Sequence, residues 1–499
     1  MQKLIKSITN DTLKKIAEMA IKALTGIASG YYILLFLYIS LSRLSFPFTL
    51  DWVEGAGLIQ INRVLLGQKL YVEPSAAYVP LIYQPLYFYM AAAFTKLLGF
   101  GLSPSRLLSI FASCGSILMI FLITRKVTGS NFPGVVSAGF FAATNGIVWT
   151  WFDFARVDTL CVFFSLLGLY FLIQADISRA VLAGLFFTLS FFTKQSAIII
   201  IFPAFVFYFL VNRKLTFILM TTTGLLTAAG FLLLNYDSNG WYYFYVYTLP
   251  SYHKMDTNPV QINYVATSLL EPILLFLGVV LISIMTDLKK FIKDKYYLFL
   301  FGLAGCTIIL SIISTLSIGA TRNAFIPAYA IIAIVCGKGL QAAQENIATF
   351  LSATVRFIGN IVLIAVCLLQ FSLLQYKARP YIPTAQDFSR AYALIKELQG
   401  TDGEFLIPSQ SYLALLAHKK VYYHEASLAE LTGWNGRFLP EGAKVIKEIQ
   451  EIVQSEEISV IYLTEPSHDW LGMRCEKEET HRSNNNTKFI PTLYKMRCH

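Results

Sequence analysis

Leu107–Lys126 reads LLSIFASCGSILMIFLITRK, eighteen uncharged residues that end on an arginine–lysine pair. As a helix, a run of about 20 such residues crosses a hydrocarbon core roughly 30 Å thick. Inside a bilayer only helices and closed barrels satisfy their own backbone groups. The apolar positions here are continuous rather than alternating, so the stretch predicts a membrane-spanning helix. Arg125 and Lys126 then mark its cytoplasmic end, because short basic loops are retained on that side.

The same pattern recurs along the chain. Of 499 residues, 56% are hydrophobic and 14% charged, against about a quarter charged in soluble domains. Mean hydropathy is +0.57. Spans are predicted at about 25–46, 105–124, 132–151, 159–175, 180–193, 196–211, 216–235, 264–285, 296–317, 324–341 and 356–375. The net charge of +10 sits largely in short loops between runs. It therefore reads as an orientation signal rather than a nucleic-acid footprint. Lys3, Lys6, Lys14, Lys15 and Lys22 precede the first span, which puts residues 1–24 in the cytoplasm. No small-residue cleavage site follows that span, so it reads as retained. Lys289, Lys290, Lys293 and Lys295 form the strongest later cytoplasmic signal.

Three segments depart from the span pattern and fall on the outer side. Residues 47–104 carry two short apolar helices, Gly55–Leu66 and about Pro85–Leu98, of the kind that lie in the interface plane. Residues 236–262 form a polar and aromatic loop with Trp241, His253 and Asp256. Residues 377–499 read as a small α/β domain. Strands are expected at Glu404–Pro408, Lys420–Tyr423 and Ile458–Leu463, and helices at Thr384–Leu398 and Ala443–Ser455. The expected architecture is an all-α polytopic membrane domain over 25–376, followed by that extracytoplasmic α/β domain. Cys114, Cys161, Cys306, Cys336 and Cys367 lie in or beside apolar runs and read as packing residues. Cys475 and Cys498 are placed to pair if their domain is outside. Zinc binding with His468, His481 or His499 lacks a ligand spacing.

The charges on the outer side are the candidates for chemistry. Asp51 and Glu54 follow the first span. Carboxylates at such boundaries are expensive and tend to be functional, although an acidic pair also suits the positive end of a following helix. Asp153 and Asp158 flank Arg156 in the turn before a later span, where a salt-bridged hairpin is the plain alternative. One carboxylate can take a proton from an acceptor hydroxyl. Others can orient sugar hydroxyls or hold a divalent cation through oxygen; the sequence assigns no metal. Lys194 and Arg322 are basic groups on the same side, suited to a phosphate, though a lone lysine there also serves as an interfacial anchor. Tyr83 stands in an aromatic stretch that otherwise reads as an interface belt.

Five segments carry a resemblance to the GT-C membrane glycosyltransferases, and within them to the protein O-mannosyltransferase and aminoarabinose-transferase superfamily. They are Asp51 just after the first span, Tyr83-Gln84-Pro85-Leu86-Tyr87, Ala155-Arg156-Val157-Asp158, Phe191-Phe192-Thr193-Lys194 and Arg322-Asn323-Ala324-Phe325-Ile326-Pro327. The resemblance covers roughly residues 25–345. It implies a polyprenyl-phosphate-linked sugar as donor and transfer on the outer face; the sequence leaves the acceptor open among a glycan, a lipid and a protein. It implies Asp51 as catalytic base, Asp158 as the second acid, and Lys194 and Arg322 near the lipid phosphate. Glu54 competes with Asp51 for the base role, because the family's first-loop acids are often adjacent while these are three apart. The family fits a bacterial inner membrane. A polytopic transporter or flippase would share the spans, yet it should carry its charges near the midplane. A structural membrane subunit would tolerate neutral replacement of all three acids, Asp51, Glu54 and Asp158.

Overall fold

The computed structural model describes residues 2–286, 295–349, 352–433, 437–455, 457–465, 469–481 and 489–498. Each of the eleven expected spans overlaps a helix, but the one expected at 132–151 is helical only over Asn131–Ala143, after which the chain turns through short 3-10 segments. In chain order the helices are α1 (Gln2–Arg43), then α2 (Trp52–Leu65) and α3 (Leu86–Leu98) in the first loop, and the bundle helices α4 (Leu102–Thr128), α5 (Asn131–Ala143), α6 (Val157–Leu172), α7 (Ile177–Thr193), α8 (Ile198–Val211), α9 (Arg213–Asp237), α10 (Pro259–Thr286), α11 (Lys295–Thr315), α12 (Ile326–Ala348) and α13 (Ala353–Leu373). Among the described residues six helices are long and apolar enough to cross a membrane by themselves, including α4, α9, α11 and α13. The protein is therefore an integral membrane protein. Lys289, Lys290 and Lys293 lie outside the described residues.

Bundle helices approach closely where side chains vanish. A Cβ on Gly139 of α5 would fall on the backbone of Ser29 in α1, and one on Gly337 of α12 would strike Ser137 and Thr124. Small residues allow such contacts in bilayers, where packing rather than hydrophobicity holds helices together. Gly139→Ala should lower stability by about 1–3 kcal/mol through overpacking. A thermal ramp on detergent-solubilised protein, read by loss of the monodisperse peak, measures this; an unchanged midpoint would show that the crossing relaxes.

The first loop folds as expected, with one shift in register. Its first helix starts at Trp52 rather than Gly55, because the Asp51 carboxylate accepts from the Val53 amide and caps the helix there. Residues 241–251 of the second loop are helical rather than irregular, with a π-turn at 244–248. Tyr242 and Tyr245 are fully buried there. The aromatic run packs under the first loop, with the Tyr242 hydroxyl donating to Gln84 at 2.7 Å.

The C-terminal portion contains α14 (Ala385–Gln399), α15 (Pro440–Gln454) and a five-stranded sheet ordered β1-β2-β5-β4-β3. The strands are β1 (Glu404–Leu406), β2 (Ile458–Leu463), β3 (Asp469–Trp470), β4 (Met473–His481) and β5 (Leu493–Cys498). Lys420–Tyr423, expected as a strand, pairs with none of them. The Tyr423 amide donates instead to Ala76 of the first loop at 2.9 Å. Tyr423, Val445 and Ile461 share one core with Ala56, Val79 and Phe88. The C-terminal portion is thus seated directly on the first loop, at one end of the bundle. Cys475 is disulfide-bonded and stands opposite Cys498 across the β4–β5 ladder. His468 and His499 lie outside the described residues.

Candidate active site

Two buried ion pairs build the platform. After α1, the chain turns through Phe46 and Phe48, both fully buried. Arg106 of α4 reaches into this turn and donates to the carbonyls of Arg43, Phe46 and Phe48 at 3.2, 2.6 and 2.7 Å. It also grips Glu54 at 2.8 Å, with neither side chain exposed. The Glu54 oxygens accept further from the Leu50 amide at 2.7 Å and the Ala155 amide at 2.6 Å. Glu54 therefore fastens the first loop to the 144–156 turn. The second pair, Arg43 with Asp153 at 2.6 Å, is equally enclosed, and Arg43 also donates to the Thr150 carbonyl at 2.7 Å. Trp149 and Thr150 are left-handed, at φ 52° and 59°. Such conformers cost about 1–3 kcal/mol each unless their surroundings hold them, and Arg43 supplies one such hold.

On this platform sits a chain of charges. The Asp51 carboxylate meets Arg156 Nη1 at 2.5 Å, and Arg156 Nη2 donates to the Tyr83 hydroxyl at 2.8 Å. The Arg156 Nε lies 4.0 Å from Asp158. Asp158 in turn binds Lys194 Nζ at 2.6 Å, Asn323 Nδ2 at 3.0 Å and Trp151 Nε1 at 3.1 Å. Asp158 opens α6 and Lys194 closes α7, so both stand at helix ends rather than midway along them.

Asp51, Tyr83, Arg156 and Lys194 line one cavity of about 540 Å³. Asp158 lines a small void that shares Lys194 and Asn323 with it. One wall of the cavity is apolar, from Ile198, Ile199, Leu310, Ile313 and Ile318. Glu54 and Asp153 line neither space; each is enclosed by its arginine. Arg322 also points elsewhere. Its guanidinium stacks over Trp149 at 4.9 Å and Tyr264 at 5.7 Å and donates to the Ile147 carbonyl. Its neighbour Asn323 is the residue that reaches Asp158. Sequence reasoning did not single out Trp52, Trp151, Gln195, His253 or Glu430 as site residues. Nothing local marks Glu430, which arrives from the C-terminal portion.

The two first-loop acids differ electrostatically. Burial pushes the Asp51 carboxyl above its usual range; Arg156 opposes this and nearby Glu54 reinforces it. Burial alone would also raise Glu54, but the Arg106 charge and its hydrogen bonds outweigh that and hold it below the usual range. Among the described residues no three candidate ligands converge as a metal site. Both oxygens of Asp158 and Oδ2 of Asp51 are engaged by cationic and N–H donors.

Residues 79–236 match the family model described as dolichyl-phosphate-mannose-protein mannosyltransferase. No match to a curated protein sequence stands beside it. Among solved structures, the chain is similar to ArnT from Cupriavidus metallidurans bound to undecaprenyl phosphate, with a TM-score of 0.56 at 12% identity, over 94% of this chain and 97% of that one. The apo form of ArnT gives the same TM-score at 13% identity, over 88% and 93%. The archaeal oligosaccharyltransferase AglB from Archaeoglobus fulgidus, in complex with an inhibitory peptide and a dolichol-phosphate, gives 0.52 at 11% identity, over 87% and 69%. The chain has the fold these membrane glycosyltransferases share.

Proposed function

We propose that this chain, with the GT-C fold, transfers a sugar from a polyprenyl-phosphate donor to an acceptor hydroxyl at the outer face of a bacterial inner membrane. The observation that carries the reading is the cavity. It joins an apolar wall suited to a polyprenyl chain with a cluster holding Asp51, Arg156 and Lys194. Residues 1–24 then face the cytoplasm, 25–376 form the transferase unit, and 377–499 lie outside over the first loop. A transport reading asks for charges amid broken helices near the midplane; these gather at helix ends and in loops.

In this mechanism Asp51 accepts the proton of the acceptor hydroxyl. The oxygen attacks the anomeric carbon, and the bond from that carbon to the phosphate oxygen breaks with its electron pair. The products are the inverted glycoside and the polyprenyl phosphate. Lys194, oriented by Asp158, opposes the charge that develops on the phosphate, and charge stabilisation of this kind is often the largest catalytic contribution. Arg156 holds Asp51 and Tyr83 in place. Asp153 and Glu54 act by fixing the two loops relative to each other.

Two measurements on the purified full chain test this. A panel of radiolabelled polyprenyl-phosphate sugars should yield transfer from at least one donor. Lys194→Met should weaken binding of undecaprenyl phosphate by about 10–100-fold, the scale of a charged hydrogen bond. A wild-type protein that neither binds undecaprenyl phosphate nor uses any donor would remove the glycosyltransferase reading.

A further inference from the structure

The cavity is also lined by groups that the donor chemistry leaves unused. Trp52 lines it beside Asp51 and is 42% exposed. Pro250 and His253 come from the second loop, and Ala426 and Glu430 from the C-terminal portion. His253 Nε2 and Glu430 Oε2 meet at 2.7 Å and join these two segments. A carboxylate only accepts, so the proton lies on Nε2 and that nitrogen is the donor. The second loop and the C-terminal portion thus close one side of the cavity together, through two groups that hydrogen-bond hydroxyls well.

We infer that Trp52, His253 and Glu430 form the acceptor subsite, and that the acceptor it takes is a saccharide. This rests on the glycosyl-transfer reading above. An exposed indole presents a flat apolar face with a polar edge, which suits the C–H face of a pyranose ring. The carboxylate and imidazole suit the hydroxyls around that ring. One way to take up an extended peptide is addition to a free strand edge, and no residue of β1–β5 lines the cavity. The subsite opens beside Asp51, where a bound hydroxyl meets the base. The C-terminal portion therefore contributes a side chain to the site as well as packing on the first loop.

The test uses full-length protein in detergent and two variants, Trp52→Ala and Glu430→Gln. The probes are tetrasaccharides of glucose, mannose and N-acetylglucosamine, a serine/threonine peptide, and undecaprenyl phosphate. Saturation-transfer NMR should show the wild type binding at least one tetrasaccharide. Trp52→Ala and Glu430→Gln should weaken that binding by about tenfold or more, with the undecaprenyl phosphate affinity within about threefold of wild type. Where a donor is identified, the acceptor KM should rise by a similar factor in Glu430→Gln. Binding of the peptide and none of the saccharides, no saccharide binding at all, or saccharide binding indifferent to both variants would overturn the subsite. Saccharide binding that depends on Trp52, in a protein with no affinity for undecaprenyl phosphate, would keep the subsite and remove the donor reading.

Discussion

Asp51→Asn is expected to reduce sugar transfer by about 10²–10⁴-fold, the contribution of a positioned general base, while the protein still folds. The substitution is nearly isosteric. An asparagine oxygen can still accept from the Val53 amide and cap α2, the role the carboxylate plays now. Arg156 keeps its Tyr83 hydroxyl and its neighbour Asp158. What is lost is the group that accepts a proton. The loss should fall on kcat, with donor affinity close to wild type, because Lys194 and the apolar wall are untouched. The pH profile follows from the direction of the Asp51 shift. Burial raises this carboxyl, so the acid limb of kcat/KM should lie above the ordinary aspartate value of about 4. Activity falls as the pH drops through that limb, because the protonated acid cannot serve as base. Transfer by Asp51→Asn within about threefold of wild type would take the base role away from this residue.

The span pattern could be read from sequence because each crossing writes itself as one uninterrupted run, with Lys or Arg at the loops on one side. Even the short crossings, such as α7 and α8, are bounded by charge or by a polar cap. The acids beside the spans were equally visible, since carboxylates are rare beside such runs. Their division of labour was not. Asp51 and Glu54 are one helical turn apart, and nothing local says that Glu54 faces Arg106 while Asp51 faces the cavity. That depends on Arg106, which lies 52 residues on from Glu54 in α4. Arg322 and Asn323 show the same limit: the segment was identifiable, but which of two adjacent side chains turns toward Asp158 depends on Trp149 and Tyr264. The C-terminal sheet was half legible. Ile458–Leu463 is an apolar run and forms β2, whereas the charged sequence from Arg474 to Thr480 gives no strand signal, yet it pairs with β5. Lys420–Tyr423 looked like a strand because it is rich in tyrosine; its Tyr423 amide goes to the first loop and its Lys420 amide to the Glu404 carboxylate.

Glu54 should behave as the opposite of Asp51. Removing it by Glu54→Ala is expected to cost about 3–5 kcal/mol, the range for stripping one partner from a fully buried ion pair. The reason is geometric. Arg106 would remain with no exposure, its charge unmatched, and the Leu50 and Ala155 amides would lose their acceptor. The first loop and the 144–156 turn would part at the point where they present Asp51 and Arg156, so activity falls through disorder of the site. Arg106→Ala should cost a similar amount by freeing three carbonyls as well as Glu54. The double variant should be less destabilised than the sum of the singles, because one interaction cannot be lost twice; a coupling of about 0.5–3 kcal/mol is the expected scale. The pH dependence has a definite sign. The folded protein holds the Glu54 pKa below the usual glutamate value. Its contribution is therefore fully present above about 4.3 and lost as the pH falls through the lowered folded value. Thermal midpoints of the three variants in detergent, with the recovered fraction of monodisperse protein, measure all of this. If Glu54→Gln has a wild-type midpoint and is nonetheless inactive, the carboxylate is needed for chemistry rather than for the fold, and the base must be sought at Glu54.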